Sequence, residues 1–117
     1  MNGPPSRGDV WLADLNPVQG HEQAGRRPVL VVSDDVFNHG PAGLVIVCPL
    51  TRTLRAIPSH IHLAPPEGGL KAASAVLSEQ VRAISTSRLI ARWGAVSPDS
   101  LRRASRVLHV LIPSASP

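Results

Sequence analysis

Most apolar residues of this chain occur in short runs that end at proline, glycine or polar residues. Runs of this length, rich in valine, leucine and isoleucine, predict β-strands. The predicted strands cover residues 9–15, 29–33, 44–50, 60–63, 73–77, 78–84 and 91–96, and the sixth either continues the fifth or stands alone. So many short elements predict a mainly β (α+β) domain, built on a small and strongly bent sheet or barrel.

One stretch has the spacing of a helix instead of a strand. From Leu101 to Ile112, apolar residues recur at three- and four-residue steps, which is typical of an amphipathic helix packed on a sheet. Ser97 stands at the N-cap position and Pro98 at the first helical position. We therefore expect a C-terminal helix to close the sheet, and shorter helical turns after the second strand and before the last one.

The chain has 117 residues, enough for one domain with a single core. We expect residues 7–112 to form that domain, after a disordered lead-in at 1–6 and before a short tail at 113–117. Twelve Lys and Arg against eight Asp and Glu give a net charge of +4, and every one of the twelve except Lys71 is arginine. Arginine suits bidentate contact with phosphate or carboxylate, although the codon preference of a GC-rich genome explains the same bias. This charge permits nucleic-acid binding without establishing it.

Several classes of protein are excluded by what the sequence lacks. Its one cysteine, Cys48, cannot form an intramolecular disulfide, and its apolar neighbours indicate a buried structural thiol. No apolar stretch approaches the roughly 20 residues that span a bilayer, and residues 1–6 lack the apolar core of a signal peptide. His60 and His62 share a face of one predicted strand, but no third ligand has a suggestive spacing, so we expect exposed histidines. The sequence thus indicates a cytoplasmic protein without metal, cofactor or membrane.

A polar stretch between the first two predicted strands is the strongest candidate for a functional site. Residues 20–28 combine an imidazole, a carboxylate, an amide and two guanidinium groups between glycines. The whole connection, residues 16–28, has no apolar periodicity, and loops of that length in compact domains are usually functional or disordered. We interpret it as an active-site loop that the scaffold presents to a ligand.

Two side chains outside the middle of that loop complete the candidate site. Arg27 precedes a proline, so its backbone is extended and its side chain leaves from near the sheet. Thr51 ends the longest apolar strand, where its hydroxyl faces whatever the loop covers. Together they suit a phosphate, or the extra charge of a phosphorane, while Glu22 can position or deprotonate a hydroxyl. Alternatively, Arg27 pairs with Glu22 or Asp34 to pin the loop, and Thr51 only caps the strand. The residues alone indicate an anion site and leave its ligand open.

Several motifs resemble the MazF/PemK family of toxins from type II toxin–antitoxin systems. They are Arg7-Gly8-Asp9-Val10-Trp11, Leu15-Asn16-Pro17, Gly20-His21-Glu22-Gln23-Ala24-Gly25-Arg26-Arg27-Pro28, Pro49-Leu50-Thr51, Ser78-Glu79-Gln80-Val81-Arg82 and Ser97-Pro98. Their order and spacing match the family over roughly residues 7–112. The resemblance implies an SH3-like small barrel of bent antiparallel strands with a C-terminal helix, as in CcdB, Kid and MazF, working as a homodimer.

The resemblance also implies an activity and partners. Members of the family are mRNA interferases, endoribonucleases that cut single-stranded RNA at short sequences without metal. The substrate's own 2′-hydroxyl attacks, which leaves a 2′,3′-cyclic phosphate and a 5′-hydroxyl and so stops translation and growth. The implied partner is a MazE-type antitoxin with an acidic, largely disordered tail, and operator DNA is reached only through that antitoxin.

Residue roles follow from the resemblance position by position. Arg27 and Thr51 match the catalytic arginine and threonine, and Glu22 matches a loop acid with a catalytic or RNA-contacting role. The candidate RNA-binding residues are His21, Gln23, Arg26, Arg52, Glu79 and Gln80. The Kid/PemK branch has an arginine where this chain has Leu77, so we expect the MazF arrangement around Arg27, with Glu79 as a secondary acid.

Two readings from other classes compete with the nuclease. One is a non-catalytic relative that binds the antitoxin and its operator DNA, and the other is a CcdB-like gyrase poison on the same scaffold. Neither needs the combination of Glu22, Arg27 and Thr51, which favours the nuclease.

Overall fold

The computed structural model describes residues 3–16, 20 and 25–115. The strands are β1 (Asp9–Asp14), β2 (Arg26–Val31), β3 (Leu44–Thr51), β4 (His60–Leu63), β5 (Ser74–Leu77), β6 (Arg82–Ser85) and β7 (Leu89–Ala95), and the helices are α1 (Asp35–Asn38) and α2 (Pro98–Leu111). Three short 3-10 helices lie at Glu67–Gly69, Ser78–Gln80 and Thr86–Arg88. None of the helices in these described ranges is long and apolar enough to cross a membrane.

The predicted elements agree with these bounds to within two residues at each end, except at two places. Strand β2 begins at Arg26 instead of the predicted Val29, because its first residues pair with β1 in the register Ala13↔Arg27 and Asp14↔Arg26. The predicted run 78–84 is interrupted, since a 3-10 helix separates β5 from β6. As a result, both arginines of the loop motif lie on a strand, where the sheet fixes their backbone.

All strand pairs are antiparallel, and the sheet runs in the order β4-β5-β3-β2-β1-β7, with β6 paired to β3. Strand β3 changes partners along its length: residues 44–47 pair with β6, 47–49 with β2, and 50–51 with β5. The two end strands, β4 and β7, are not paired with each other among the described residues. The predicted class, a bent antiparallel sheet with a C-terminal helix, is confirmed, but the sheet is not closed, so it is a barrel only in a loose sense.

Both faces of the central strands are buried. One cluster of buried side chains comprises Val10, Leu30, Cys48, Leu50, Ile61, Leu63, Leu70, Val76 and Ala104, and the other comprises Trp11, Ala13, Leu15, Val29, Val31, Val45, Val47 and Ile84. Helix α2 covers the first cluster through Ala104, with Val107 and Leu108 packed beside it. Burial, followed by the charge of Glu79, raises the pKa of the Cys48 thiol to about 12. The thiol therefore stays protonated in the core, as its apolar neighbours predict.

The start of α2 is capped by two residues from different parts of the chain. The Ser97 hydroxyl accepts from the backbone N–H of Ser100 at 3.1 Å, as the sequence predicts. Glu67 in turn accepts from the backbone N–H of Ser97 at 2.9 Å. Burial on its own raises the pKa of Glu67, but hydrogen bonds from Ser100 and Ser97 outweigh it and hold that pKa below its usual 4.5. The ionised carboxylate thus ties the helix to the 3-10 turn at residues 67–69.

Replacing Glu67 by glutamine is expected to lower the free energy of unfolding by about 0.5–1 kcal/mol near neutral pH, the usual worth of a charged cap. The pKa of Glu67 is lower in the folded than in the unfolded chain, so its contribution is present above the unfolded pKa and is lost as pH falls through the folded one. Urea unfolding of both proteins near neutral pH and in acid measures the difference. A difference that stays the same in acid would contradict this role.

Candidate functional site

A cavity of about 840 Å³ opens where β2 and β3 part, within the range of about 300–1,000 Å³ that is common for ligand sites. Its walls come from the start of β2, the end of β3 with the turn after it, residues 69–74, and β7. The lining residues are Leu12, Arg26, Arg27, Pro28, Leu50, Thr51, Arg52, Thr53, Gly69, Leu70, Lys71, Ala72, Ser74, Arg92 and Trp93. The cavity therefore collects side chains from distant parts of the sequence.

The strand register explains why Arg27 and Thr51 meet there. Strands β2 and β3 pair from Val31 back to the pair Val29↔Pro49. Two more residues of that register would set Arg27 opposite Thr51, but the β2–β3 pairing ends before them, while Thr51 pairs with Ala75 of β5 on the other edge of β3. The two strands separate at this point, and both side chains line the gap between them.

The first residues of β2 are suited to a strand edge that has no partner on the β3 side. No residue of β3 pairs with positions 26–28, so Pro28, which has no N–H to donate, lies where a ladder hydrogen bond to β3 is not needed. Residues 26–28 are held on their other side by β1. The side chain of Arg27 thus departs from a strand that is fixed on one side and open to the cavity on the other.

The charged side chains among the described lining residues are all positive. Its cationic side chains are those of Arg26, Arg27, Arg52, Lys71 and Arg92, and no Asp or Glu is among the described lining residues. Several guanidinium groups around one space attract a polyanion and can contact its phosphates with paired hydrogen bonds. This arrangement favours a phosphate-containing ligand over a neutral one.

The hydroxyl of Thr51 is oriented by the turn that follows β3. It accepts a hydrogen bond from the backbone N–H of Thr53 at 3.1 Å. A hydroxyl has two lone pairs and one hydrogen, so this contact occupies a lone pair and leaves the hydrogen available to a ligand oxygen. Thr51 can therefore act as a fixed donor at the cavity wall.

A buried carboxylate orients Arg92 on the β7 wall. Asp9 is 5% exposed, and its Oδ1 lies 3.1 Å from Nε of Arg92. The other oxygen accepts from the backbone N–H of Ser6 at 2.9 Å and from Nε1 of Trp11 at 3.1 Å. With its carboxylate held on both oxygens, Asp9 anchors the arginine while leaving its terminal amino groups able to donate.

Sequence reasoning missed Lys71, Arg92 and Trp93. A signal was present for Arg92 only: Asp9 opens a buried strand, and a carboxylate in such a place needs a cationic or hydrogen-bonding partner. That partner stands on a strand more than eighty positions later in the sequence. No local pattern identifies it.

The two ends of the predicted active-site loop are fixed beside the cavity. Leu15 N–H donates to the Gly25 carbonyl at 3.0 Å, and Gly25 N–H donates to Oδ1 of Asn16 at 3.0 Å. Arg88 donates to the carbonyl of Asp14 at 3.2 Å and also to that of Asn16. His21, Glu22 and Gln23 lie outside the described residues, so their predicted roles stay predictions.

Glu79 and Gln80 are placed away from the cavity, in the 3-10 helix between β5 and β6, and neither is among the described lining residues. Glu79 accepts from the Ser59 hydroxyl at 2.6 Å and lies 3.1 Å from Nε2 of His60. Burial on its own raises the pKa of Glu79, but the hydrogen bond from Ser59, a backbone hydrogen bond and the contact with His60 outweigh it and lower the pKa. The acid is therefore ionised and bound to its neighbours at the start of β4.

The histidines of β4 are each engaged by the protein. The side chain of His60 is 5% exposed, so the expectation of an exposed residue is wrong for it. His62 contacts the Arg55 carbonyl through Nε2 at 2.9 Å. Within residues 3–16, 20 and 25–115, no three His, Cys, Asp or Glu side chains gather as a metal site would require.

Comparison with known proteins gives a family match over almost the whole chain. A family model for the PemK-like, MazF-like toxin of type II toxin–antitoxin systems matches residues 6–112. Endoribonuclease MazF of Staphylococcus saprophyticus is 32% identical over 105 residues, which are 89% of this chain and 88% of the relative.

Solved structures match the fold over a similar extent. The crystal structure of MazF from Deinococcus radiodurans has a TM-score of 0.84 at 28% identity, covering 97% of this chain and 100% of that one. A MazE-MazF crystal structure from the same organism has a TM-score of 0.80 at 28% identity, again covering 97% of this chain and 100% of that one. The match includes the antiparallel sheet, whose strands form much of the cavity wall, and the C-terminal helix.

Proposed function

Because the chain belongs to the PemK-like, MazF-like toxins of type II toxin–antitoxin systems, we propose that it is a toxin that cleaves single-stranded RNA at specific sequences. The observation that carries this proposal is the cavity in which Arg27 and Thr51 face the same space among further cations. Such a surface suits an RNA backbone, and cleavage of mRNA would stop translation and growth. The cytoplasm, where mRNA is translated, is the proposed place of action.

The proposed chemistry uses the 2′-hydroxyl of the substrate. Its oxygen bonds to the neighbouring phosphorus while the bond to the 5′-oxygen breaks, and the departing oxygen takes up a proton. The products are a 2′,3′-cyclic phosphate and a 5′-hydroxyl. Arg27 neutralises the charge that the phosphorane gains, and the Thr51 hydroxyl donates to a non-bridging oxygen, so the phosphate is held for in-line attack. Since arginine supplies the positive charge, no metal ion is required.

The remaining predicted residues have supporting roles in this proposal. Glu22 is the proposed acceptor of the 2′-hydroxyl proton, and His21 and Gln23 are proposed to contact bases. Arg26 and Arg52 line the cavity beside the catalytic pair and would bind flanking phosphates. Glu79 and Gln80 lie off the cavity and would contact RNA only beyond it.

We further propose that a MazE-type antitoxin is the partner, as the MazE-MazF pair of Deinococcus radiodurans suggests. An acidic antitoxin segment would complement the cations of the cavity and compete with RNA there. Homodimer formation is supported by apolar side chains at the end of α2, where Val110 is 77% and Ile112 63% exposed. Operator DNA would be bound only through the antitoxin.

Replacing Thr51 by valine is expected to lower the rate of RNA cleavage by about 10²-fold, because valine has nearly the same shape but cannot donate to the phosphate. Initial rates on a labelled RNA measure the loss. The matched control is Thr86→Val, since Thr86 does not line the cavity and its hydroxyl contacts the Gly43 carbonyl at 3.4 Å. Equal rates for wild type and Thr51→Val would remove Thr51 from the mechanism.

Incubating the protein with long RNA and with single-stranded DNA, both in excess EDTA, tests the proposed function. We expect fragments of RNA and intact DNA, since DNA lacks the attacking 2′-hydroxyl. Intact RNA under these conditions would support the non-catalytic binder or the gyrase poison instead. A gyrase assay run beside it separates those two alternatives.

A further inference from the structure

We propose that Trp93, Arg92 and Lys71 form a nucleotide subsite on the β7 wall of the cavity, in which Trp93 stacks on a base and the two cations hold the adjoining phosphate. This inference rests on the proposed function, because it takes RNA as the ligand. It adds a second place where substrate is held, apart from Arg27 and Thr51. Each of the three residues lines the cavity, and none is needed for the proposed chemical step.

A β-bulge explains how two consecutive residues reach one cavity. Neighbouring side chains of a regular strand point to opposite faces, yet Arg92 and Trp93 both line the cavity. The pairing of β7 with β1 shifts here, from Val10↔Gly94 to Trp11↔Arg92, which leaves Trp93 as the extra residue of the bulge. Bulges re-aim side chains and are common beside active sites. The irregularity thus lets an aromatic residue and the arginine before it border the same space.

Glycine contacts build the wall beside the bulge. A Cβ on Gly69 would lie 2.2 Å from the carbonyl oxygen of Trp93, and one on Gly94 would lie 2.8 Å from the carbonyl carbon of Gly68. Contacts that close are possible only without side chains, so the turn at residues 67–69 packs directly on the backbone of β7. This packing brings Lys71, two residues after Gly69, to the same cavity as Trp93.

The exposure of Trp93 fits a stacking role. It is 39% exposed, whereas Trp11 is 5% exposed within the core. Among the described cavity residues Trp93 is the one aromatic side chain, and it stands with Arg92 and Lys71. An aromatic face next to cations is the combination that binds single-stranded nucleic acid, with stacking on the ring and phosphate on the charges.

The contact with Asp9 holds the Arg92 guanidinium in place for binding a phosphate. Its Nε is held by buried Asp9 at 3.1 Å, while its side chain stays 43% exposed. A guanidinium fixed through Nε loses little further freedom when its terminal amino groups bind an anion. The subsite therefore combines one oriented cation, one flexible lysine and one aromatic surface.

Steady-state cleavage of RNA and a fluorescence titration with a short randomised single-stranded DNA test the subsite. The DNA carries bases and phosphates but is not cut by 2′-hydroxyl attack. Trp93→Ala is expected to raise KM for RNA roughly tenfold with kcat nearly unchanged, because one stacked base is lost, and Trp93→Phe should keep most of the affinity. Phe37→Ala is the matched control, since Phe37 is similarly exposed, at 37%, but does not line this cavity.

The titration identifies the contact directly. DNA is expected to quench the wild-type emission and to leave the emission of Trp93→Phe, which comes from Trp11 alone, unchanged. Arg92→Ala should weaken DNA binding and reduce the slope of log affinity against log salt by about one, as for one lost phosphate contact. Arg102→Ala, on α2 outside the cavity, should leave that slope unchanged.

Equal KM for wild type and Trp93→Ala would overturn the subsite, as would a wild-type emission that DNA does not change or a quench that persists in Trp93→Phe. Each of these results is compatible with a nuclease. A wild-type protein that leaves RNA intact would instead contradict the proposed function, and the DNA titration would still test the subsite.

Discussion

Replacing Arg27 by alanine is expected to lower the rate of RNA cleavage by at least about 10²–10³-fold, the loss typical of removing one fixed donor from a developing negative charge. Arg27 lies where β2 and β3 separate, at the position that the β2–β3 register would set opposite Thr51. Thr51, the other member of the proposed catalytic pair, carries no charge and so cannot replace that of Arg27. Initial rates on a labelled RNA, and growth of cells that express the variant, measure the effect.

Controls separate catalysis from folding and from general charge. Thermal unfolding of Arg27→Ala should resemble that of wild type. Arg27→Lys keeps the charge but not the bidentate fork, so it should recover only part of the rate. Arg102→Ala removes one positive charge from α2 and should cleave normally. Full cleavage by Arg27→Ala would refute the catalytic assignment.

Replacing Gly69 by alanine is expected to lower the free energy of unfolding by at least about 3 kcal/mol, since left-handed strain and overpacking add. Gly69 has φ +72°, and its new Cβ would lie 2.2 Å from the Trp93 carbonyl oxygen, which is backbone and cannot rotate away. Because β7 would have to move, RNA binding through Trp93 should weaken as well. Urea unfolding measures the stability, and DNA titration measures the binding.

Gly43→Ala is the matched control for this change. Gly43 has φ +68°, but nothing lies within 4 Å of its added Cβ. It should therefore cost only the left-handed strain, about 1–2 kcal/mol. Equal losses of unfolding free energy at the two glycines would show that the contact with Trp93 does not contribute to the destabilisation.

The sequence predicts the elements of this fold well because they depend on local patterns. Alternating and continuous apolar runs mark the strands, and Ser97 with Pro98 marks the start of α2. The start of β2 is an instructive error: Arg26 and Arg27 look like loop residues, yet pairing with β1 makes them strand. Pairing between distant segments overrides local composition there.

The candidate site is predictable only in part for the same reason. Thr51 and Arg27 are recognisable because each stands at the end of an apolar strand next to proline or polar residues. Arg92 and Trp93 are not, since a bulge in a pairing with β1 directs them to the cavity. Glu79 is the opposite case, a residue that the sequence predicts in the site but that the fold places elsewhere. Its position beside His60 depends on the pairing of β4 with β5.

The chemical ends of the RNA fragments test the central claim most directly. Long RNA is incubated with the protein in excess EDTA, and the new ends are identified by kinase labelling and by phosphatase sensitivity. We expect 5′-hydroxyl ends and 2′,3′-cyclic phosphates, the products of attack by the 2′-hydroxyl in a cavity where Arg27 neutralises the developing charge. Fragments with 5′-phosphates and 3′-hydroxyls, which water as the nucleophile would produce, would contradict it.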